Sequence, residues 1–162
     1  MISKKIEKAL NNQINAELFS SYLYLSMAAY SSSINMNGAA KWFKAQAKEE
    51  LEHAMKFYLY IEERGGRVVL EAVKEPKKEW KSLEEAFKEA YEHEKYISSR
   101  INKLMELAIS ERDFATQSFL NWFVDEQVEE EASTLEVYEK LKMVRDYKGG
   151  LFMIDRELSQ RQ

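Results

Sequence analysis

The stretch SLEEAFKEAYEHEKYISSRINKLMELAIS, Ser82 to Ser110, decides how this chain is read. Leu83, Phe87, Ala90, Glu94, Ile97, Ile101, Leu104 and Ala108 recur at steps of four and three, so they share one stripe of a helix. Seven are apolar, and Glu94 sits in the middle where a leucine would be expected. A carboxylate on a buried stripe costs several kcal/mol unless something pairs with it. By itself, replacing Glu94 with leucine is expected to complete the stripe and stabilise the metal-free chain. Ser82 and Glu85 form a capping box that starts the helix.

Three further segments repeat the pattern. Ile6, Leu10, Gln13, Glu17, Ser20, Tyr24 and Met27 make one stripe, and Phe43, Gln46, Glu50, His53, Phe57 and Tyr60 another. Leu120, Phe123, Gln127, Glu130, Thr134, Val137 and Leu141 make the last. Each carries its ionisable or amide groups near the middle. The spacing predicts helices over Ser3 to Tyr30, Gly38 to Arg64, Ser82 to Ser110 and Asp113 to Tyr147. Asn37 is expected to cap the second and Asp113 the fourth. Gly65-Gly66 should stop the second helix and Gly149-Gly150 break the fourth. A short fifth helix is expected over Leu151 to Ser159.

Composition agrees with long helices. The 162 residues suit one domain over 1–162, and 45% are apolar. There is one proline and there are five glycines, so little interrupts a helix. The net charge of −4 argues against a nucleic-acid partner. The absence of cysteine removes disulfides, iron–sulfur clusters and thiolate zinc sites. No stretch has the length of a membrane span or a signal core, so a cytoplasmic protein without a membrane partner is expected.

Connection lengths set the topology. The turns near 31–37 and 111–113 are short and join antiparallel neighbours. The connection 67–81 can span ~50 Å when extended. A helix of 27 residues is ~40 Å long, so this connection can return the chain to its starting end. The expected fold is all-α: an up-down-down-up four-helix bundle with a long crossover connection and a short fifth C-terminal helix. Glu17, Glu50, His53, Glu94, Gln127 and Glu130 lie near helix midpoints, which share one level in a bundle of equal helices. Four carboxylates and a neutral imidazole balance two divalent cations. Glu50 and His53, three apart, can grip one ion together. Oxygen-rich ligands with one imidazole and no thiolate favour iron or manganese over structural zinc.

The pattern Glu17, Glu50-x-x-His53, Glu94 and Gln127-x-x-Glu130 resembles that of the bacterial and archaeal non-haem ferritins, and the resemblance covers the whole chain. Bacterioferritins would carry a second histidine in the fourth helix and a haem-ligating methionine where Leu51 stands, so no haem is expected. Rubrerythrins would need cysteines. The resemblance implies iron storage with ferroxidase activity: two Fe(II) per subunit are oxidised by dioxygen or hydrogen peroxide, and Fe(III) mineral collects inside a hollow homo-oligomeric shell of twenty-four subunits. Glu17, Glu50 and His53 would hold the first iron. Glu50, Glu94 and Glu130 would hold the second, with Gln127 as a hydrogen-bonding or weak ligand. Tyr24 would lie beside the pair, and Glu49, Glu126 and Glu129 would form a third iron site. His93, off the core stripe, is expected at an exposed or interfacial position. Two other readings stand beside this one: a metal-free helical interaction module, and a di-iron oxidase acting on an organic substrate. Leu151, Phe152, Ile154 and Leu158 form an apolar end expected to pack on other copies. All the metal-binding residues lie upstream of Lys148, so the segment after it is expected to be dispensable for the metal site.

Overall fold

The computed structural model describes residues 1–162. Five helices form: α1 (Lys4–Ser33), α2 (Asn37–Glu63), α3 (Leu83–Ser110), α4 (Phe114–Met143) and α5 (Lys148–Leu158). The chain makes an up-down-down-up four-helix bundle followed by a short fifth helix. No helix is long and apolar enough to cross a membrane. All four stripes face inward, and every residue named on them is buried.

The core is not one continuous apolar mass. One cluster, centred on Met27, Phe43 and Phe87, fills the end of the bundle nearest α5. A second, centred on Leu10, Phe57, Ile101 and Phe123, fills the other end. Between them lies a polar belt of Gln13, Glu17, Gln46, Glu50, His53, Glu94, Gln127 and Glu130, all buried. Aromatic pairs close the belt on either side: Phe43 stacks on Phe87 at 4.4 Å and Phe57 on Phe123 at 4.2 Å. Such packing keeps water from the belt and raises the cost of any unpaired charge there.

The crossover is fastened along the length of α1. Glu7 accepts from Arg67 N, and Asn11 accepts from Val69 N while donating to Arg67 O. Asn15 donates to Ala72 O, and Ser26 to Lys77 O. As the number on α1 rises, so does the number on the crossover, so the connection runs parallel to α1. It ends with Trp80 against Tyr30, ring centroids 5.4 Å apart. This delivers α3 to the end where α2 begins and makes those two helices parallel. Irregular backbone needs partners for its amides and carbonyls, and the polar face of α1 supplies them.

The helix ends differ from expectation at three places. α1 continues to Ser33, because Ser31 and Ser33 hydroxyls donate to Met27 O and Tyr30 O and stay within the helix. Reversal occurs instead at Asn35, whose φ of 61° is a left-handed conformation that asparagine tolerates. Asn37 is the first helical residue of α2, and no local side chain caps that end. Asp155 of α5 does so, accepting from Gly38 N (3.2 Å) and Ala39 N (2.8 Å). Gly38 permits this approach: a Cβ there would sit 1.8 Å from Asp155 O. Finally, α4 stops at Met143, and Gly149 and Gly150 lie inside α5 instead of separating the two helices. They allow a tight corner, since a Cβ on Gly150 would meet Val144 Cγ1 at 2.5 Å. Ser82 and Asp113 cap α3 and α4 as expected, accepting from Glu85 N and Thr116 N.

The fifth helix is only partly free. Ile154 and Leu158 are buried in the core cluster at that end of the bundle, and Leu151 packs against it. Phe152 and Met153 are 73% and 70% exposed. The expected apolar end is thus divided, because α5 docks on α2 and α4 through one face and leaves the other outward.

Candidate metal centre

Each wall of the belt is one helix turn or two. Glu17 comes from α1, Glu50 and His53 from α2, Glu94 from α3, and Gln127 and Glu130 from α4. Three sets of ligand atoms lie within 4.8 Å of one another: Glu17, Glu50 and His53; Glu50, Glu94 and Glu130; and His53, Glu126 and Glu130. The first two sets share Glu50. A carboxylate shared in this way can bridge two ions.

Second contacts hold these ligands. Gln13 Nε2 donates to Glu17 Oε1 at 2.8 Å. Gln46 Nε2 donates to Glu130 Oε2 at 2.5 Å and to Glu50 Oε1 at 3.2 Å. His53 Nδ1 faces Glu50 Oε2 at 3.2 Å. Gln127 Nε2 donates to Glu94 Oε2 at 3.1 Å and also reaches Glu94 O and Ser98 Oγ. The Tyr24 hydroxyl donates to Glu94 Oε1. One buried side-chain oxygen has no hydrogen-bond partner, Glu17 Oε2. An orphaned carboxylate oxygen in a dry interior is costly. Beside Glu50 and His53, a divalent cation would remove that cost, so the donor set fits a metal.

Burial dominates the proton affinities. It raises Glu17, and it pushes Glu50 well above the ordinary carboxylate range, with the charges of Glu94 and Glu17 adding to the effect. Burial brings Glu94 to about 7, against the hydrogen bonds from Tyr24 and Gln127 that lower it. Glu130 is raised to about 8 by burial and by the charge of Glu94. Burial and Glu94 together lift Tyr24 well above its usual value. Without a cation, Glu94 and Glu130 are protonated for part of the time near neutral pH, and the burial that raises Glu17 and Glu50 acts in the same direction; a cation displaces such protons.

The residues expected at a third site are arranged differently from one another. Glu126 approaches His53 Nε2 at 3.9 Å and joins the set with Glu130. Glu49 pairs with Arg161 at 3.0 Å. Glu129 belongs to none of the three ligand sets. Trp122 lies edge-on to His53, with ring centroids 5.4 Å apart. His93 is not an exposed residue. Its Nε2 lies 2.7 Å from Ser20 Oγ, and its ring packs on Phe19, Tyr24 and Tyr96. Burial lowers it to about 4, so it stays neutral. Although it stands off the apolar stripe, it fills the groove between α1 and α3, which a stripe does not describe.

Gln13 and Gln46 stand on the core stripes, and their hold on Glu17, Glu50 and Glu130 emerges only in the structure. A signal was present: each glutamine precedes a stripe glutamate by four residues, Gln13 before Glu17 and Gln46 before Glu50. That spacing lets an amide reach a carboxylate one turn away. Arg100 and Arg161, which hold those glutamines, gave no local signal.

Residues 7–144 match the family described as the ferritin-like domain. The chain is 43% identical over 162 residues to a bacterial non-heme ferritin of Staphylococcus epidermidis, covering 99% of this chain and 97% of the relative. It is 39% identical over 156 residues to a bacterial non-heme ferritin of Campylobacter jejuni, covering 96% and 93%. An open pore ferritin from the hyperthermophilic archaeon Archaeoglobus fulgidus superposes with a TM-score of 0.99 at 53% identity, over 100% of both chains.

Proposed function

Since the chain belongs to the ferritin family, we propose that it oxidises and stores iron. Fe(II) is the substrate. Glu17, Glu50 and His53 bind the first ion and Glu50, Glu94 and Glu130 the second, with Glu50 between them. Gln127 and Tyr24 hold the Glu94 carboxylate in place. Each ion gives up one electron, and the two electrons with two protons reduce dioxygen to hydrogen peroxide, or reduce hydrogen peroxide to two waters. Protons displaced from the carboxyls leave as the ions enter. Glu49, Glu126 and Glu129 form a third site that receives iron beside the pair. Fe(III) then passes to a mineral inside a homo-oligomeric shell of twenty-four subunits in the cytoplasm.

The observation that carries this reading is the orphaned Glu17 Oε2 among two ligand sets that share Glu50. Aerobic incubation with Fe(II), followed by measurement of iron retained per chain, tests it. Retention of far more than two irons per chain is expected. Retention of two would favour an oxidase with an organic substrate, and none would favour a metal-free helical module. His53→Ala should leave the helices intact and slow the initial oxidation by about tenfold or more, as expected when a metal site is degraded. Stopped-flow absorbance at low iron loading reads this directly. An unchanged rate would remove His53 from the ligand set.

A further inference from the structure

Arg161 stands three residues beyond the end of α5, yet its guanidinium reaches the polar belt. It stacks over Trp42, 4.3 Å from the ring centroid. Nη2 donates to Gln46 Oε1 at 2.9 Å and pairs with Glu49 Oε2 at 3.0 Å. Nη1 donates to Trp42 O at 3.4 Å. Gln46 is fully buried, 0% exposed, and its other amide end holds Glu130 and Glu50.

The two ends of a carboxamide have nearly the same shape but opposite roles in hydrogen bonding. If Gln46 turned over, its oxygen would face two carboxylates and its NH2 would lose them. A guanidinium carries only donors, so it accepts only the oxygen end as its partner. A second pair of residues repeats the device: Arg100 Nε donates to Gln13 Oε1 at 2.9 Å, and Gln13 Nε2 donates to Glu17. Each arginine fixes one glutamine, and each glutamine holds a different wall of the centre.

We propose that Arg161 is a positioning residue for the second metal ion, acting through Gln46 on Glu130, as Arg100 acts through Gln13 on Glu17 and the first ion. This rests on the dinuclear reading given above. It also means that the segment after Lys148 is not dispensable for the metal centre. The element expected to serve assembly ends in a side chain that reaches the site of oxidation.

Cobalt(II) titration of the metal-free, assembled protein tests the assignment, with calorimetry for affinity and visible absorption for the ligand field at each ion added. Arg161→Met keeps an apolar stem on Trp42 and removes every donor; Arg161→Ala removes both. The second ion should weaken about tenfold or more with a change in its absorption bands, and the first, which meets Gln46 only through the longer 3.2 Å contact to Glu50, should weaken clearly less. Arg100→Ala should show the reverse order, with the first ion weakened. The second-ion defect should persist in Arg161→Met combined with Glu49→Ala, since it passes through Gln46 and not through the released Glu49. Arg161→Met and Arg161→Ala binding the second ion within about twofold of wild type would overturn the role of Arg161 alone, given its expected size. Equal weakening of both ions in Arg161→Met would overturn it too, marking a general structural effect. A wild-type chain that takes up no pair of ions would overturn the dinuclear reading, and the role of Arg161 with it.

Discussion

Glu94 is held by groups that a leucine could not satisfy. Tyr24 donates to one carboxyl oxygen and Gln127 to the other, both from fully enclosed positions. The stripe alone suggests that Glu94→Leu would stabilise the metal-free chain; the partners reverse that expectation below neutral pH. There Glu94, at about 7, carries its proton, so the substitution removes no charge and strands the Tyr24 hydroxyl, while Gln127 keeps Glu94 O and Ser98 Oγ. A buried donor left unsatisfied costs ~1–3 kcal/mol. Glu94→Leu should therefore lower the Tm of the metal-free chain near pH 5. At pH 9 a buried charge is removed as well, and the loss should shrink. Thermal melts at both values check this; an increase in Tm at pH 5 would contradict it. The wild-type site also sets a pH trend of its own. The folded pKa values of about 7 and about 8 lie above the unfolded carboxyl value of 4.5. Between those limits the folded chain binds more protons than the unfolded one, so stability falls as pH rises through that window. A divalent cation, which replaces the protons, should flatten the trend and raise the Tm. Calorimetric melts of the metal-free protein across that range, with and without zinc, would show it.

At the scale of the helices, the interior faces were legible because burial imposes a period of 3.6 on the sequence. Ile6 through Met27, Leu83 through Ala108 and their counterparts in α2 and α4 all turn inward as that period requires. The buried carboxylates of the candidate centre were legible for the same reason: a glutamate on an apolar stripe is conspicuous. What joins the helices was not legible, because it depends on residues remote in the chain. Nothing near Asn37 announces that Asp155 caps α2, and nothing near Ser159 announces that Arg161 will reach Gln46. Asn11 and Asn15 stand off the apolar stripes and find partners on the crossover. The cap gives a direct test. Asp155→Ala leaves two amides of α2 without an acceptor and should cost ~1 kcal/mol, typical of a lost N-cap. Gly38→Ala should do more, because its Cβ would overlap Asp155 O and push α5 off α2. Limited proteolysis should then cut between α4 and α5 in Gly38→Ala faster than in wild type. Equal resistance would show that α5 can shift without undocking.

At the scale of the molecule, one chain leaves apolar surface that it cannot cover. Phe152 and Met153 on α5 are 73% and 70% exposed, Met143 at the end of α4 85%, and Phe114 at its start 72%. Phe152 and Met153 stand on the outward face of α5, whose buried face is already committed to Ile154 and Leu158. Adjacent large apolar side chains left outward on one short helix point to a contact with another protein. The proposed shell would supply such contacts from further copies, and the docking of α5 through Asp155 and Gly38 fixes the outward face at one orientation. Phe152→Glu combined with Met153→Glu would place charges on that face without touching the buried one. The variant should keep its helical content and its first two metal ions per chain, because neither residue contacts the belt. Its sedimentation should shift from a large closed assembly towards smaller species, and iron loaded aerobically should precipitate instead of staying with the protein. A variant that sediments as wild type would place the contacts elsewhere on the surface. Wild-type protein that sediments as a monomer or dimer at every salt and metal concentration would defeat the storage reading, even with the oxidation site intact.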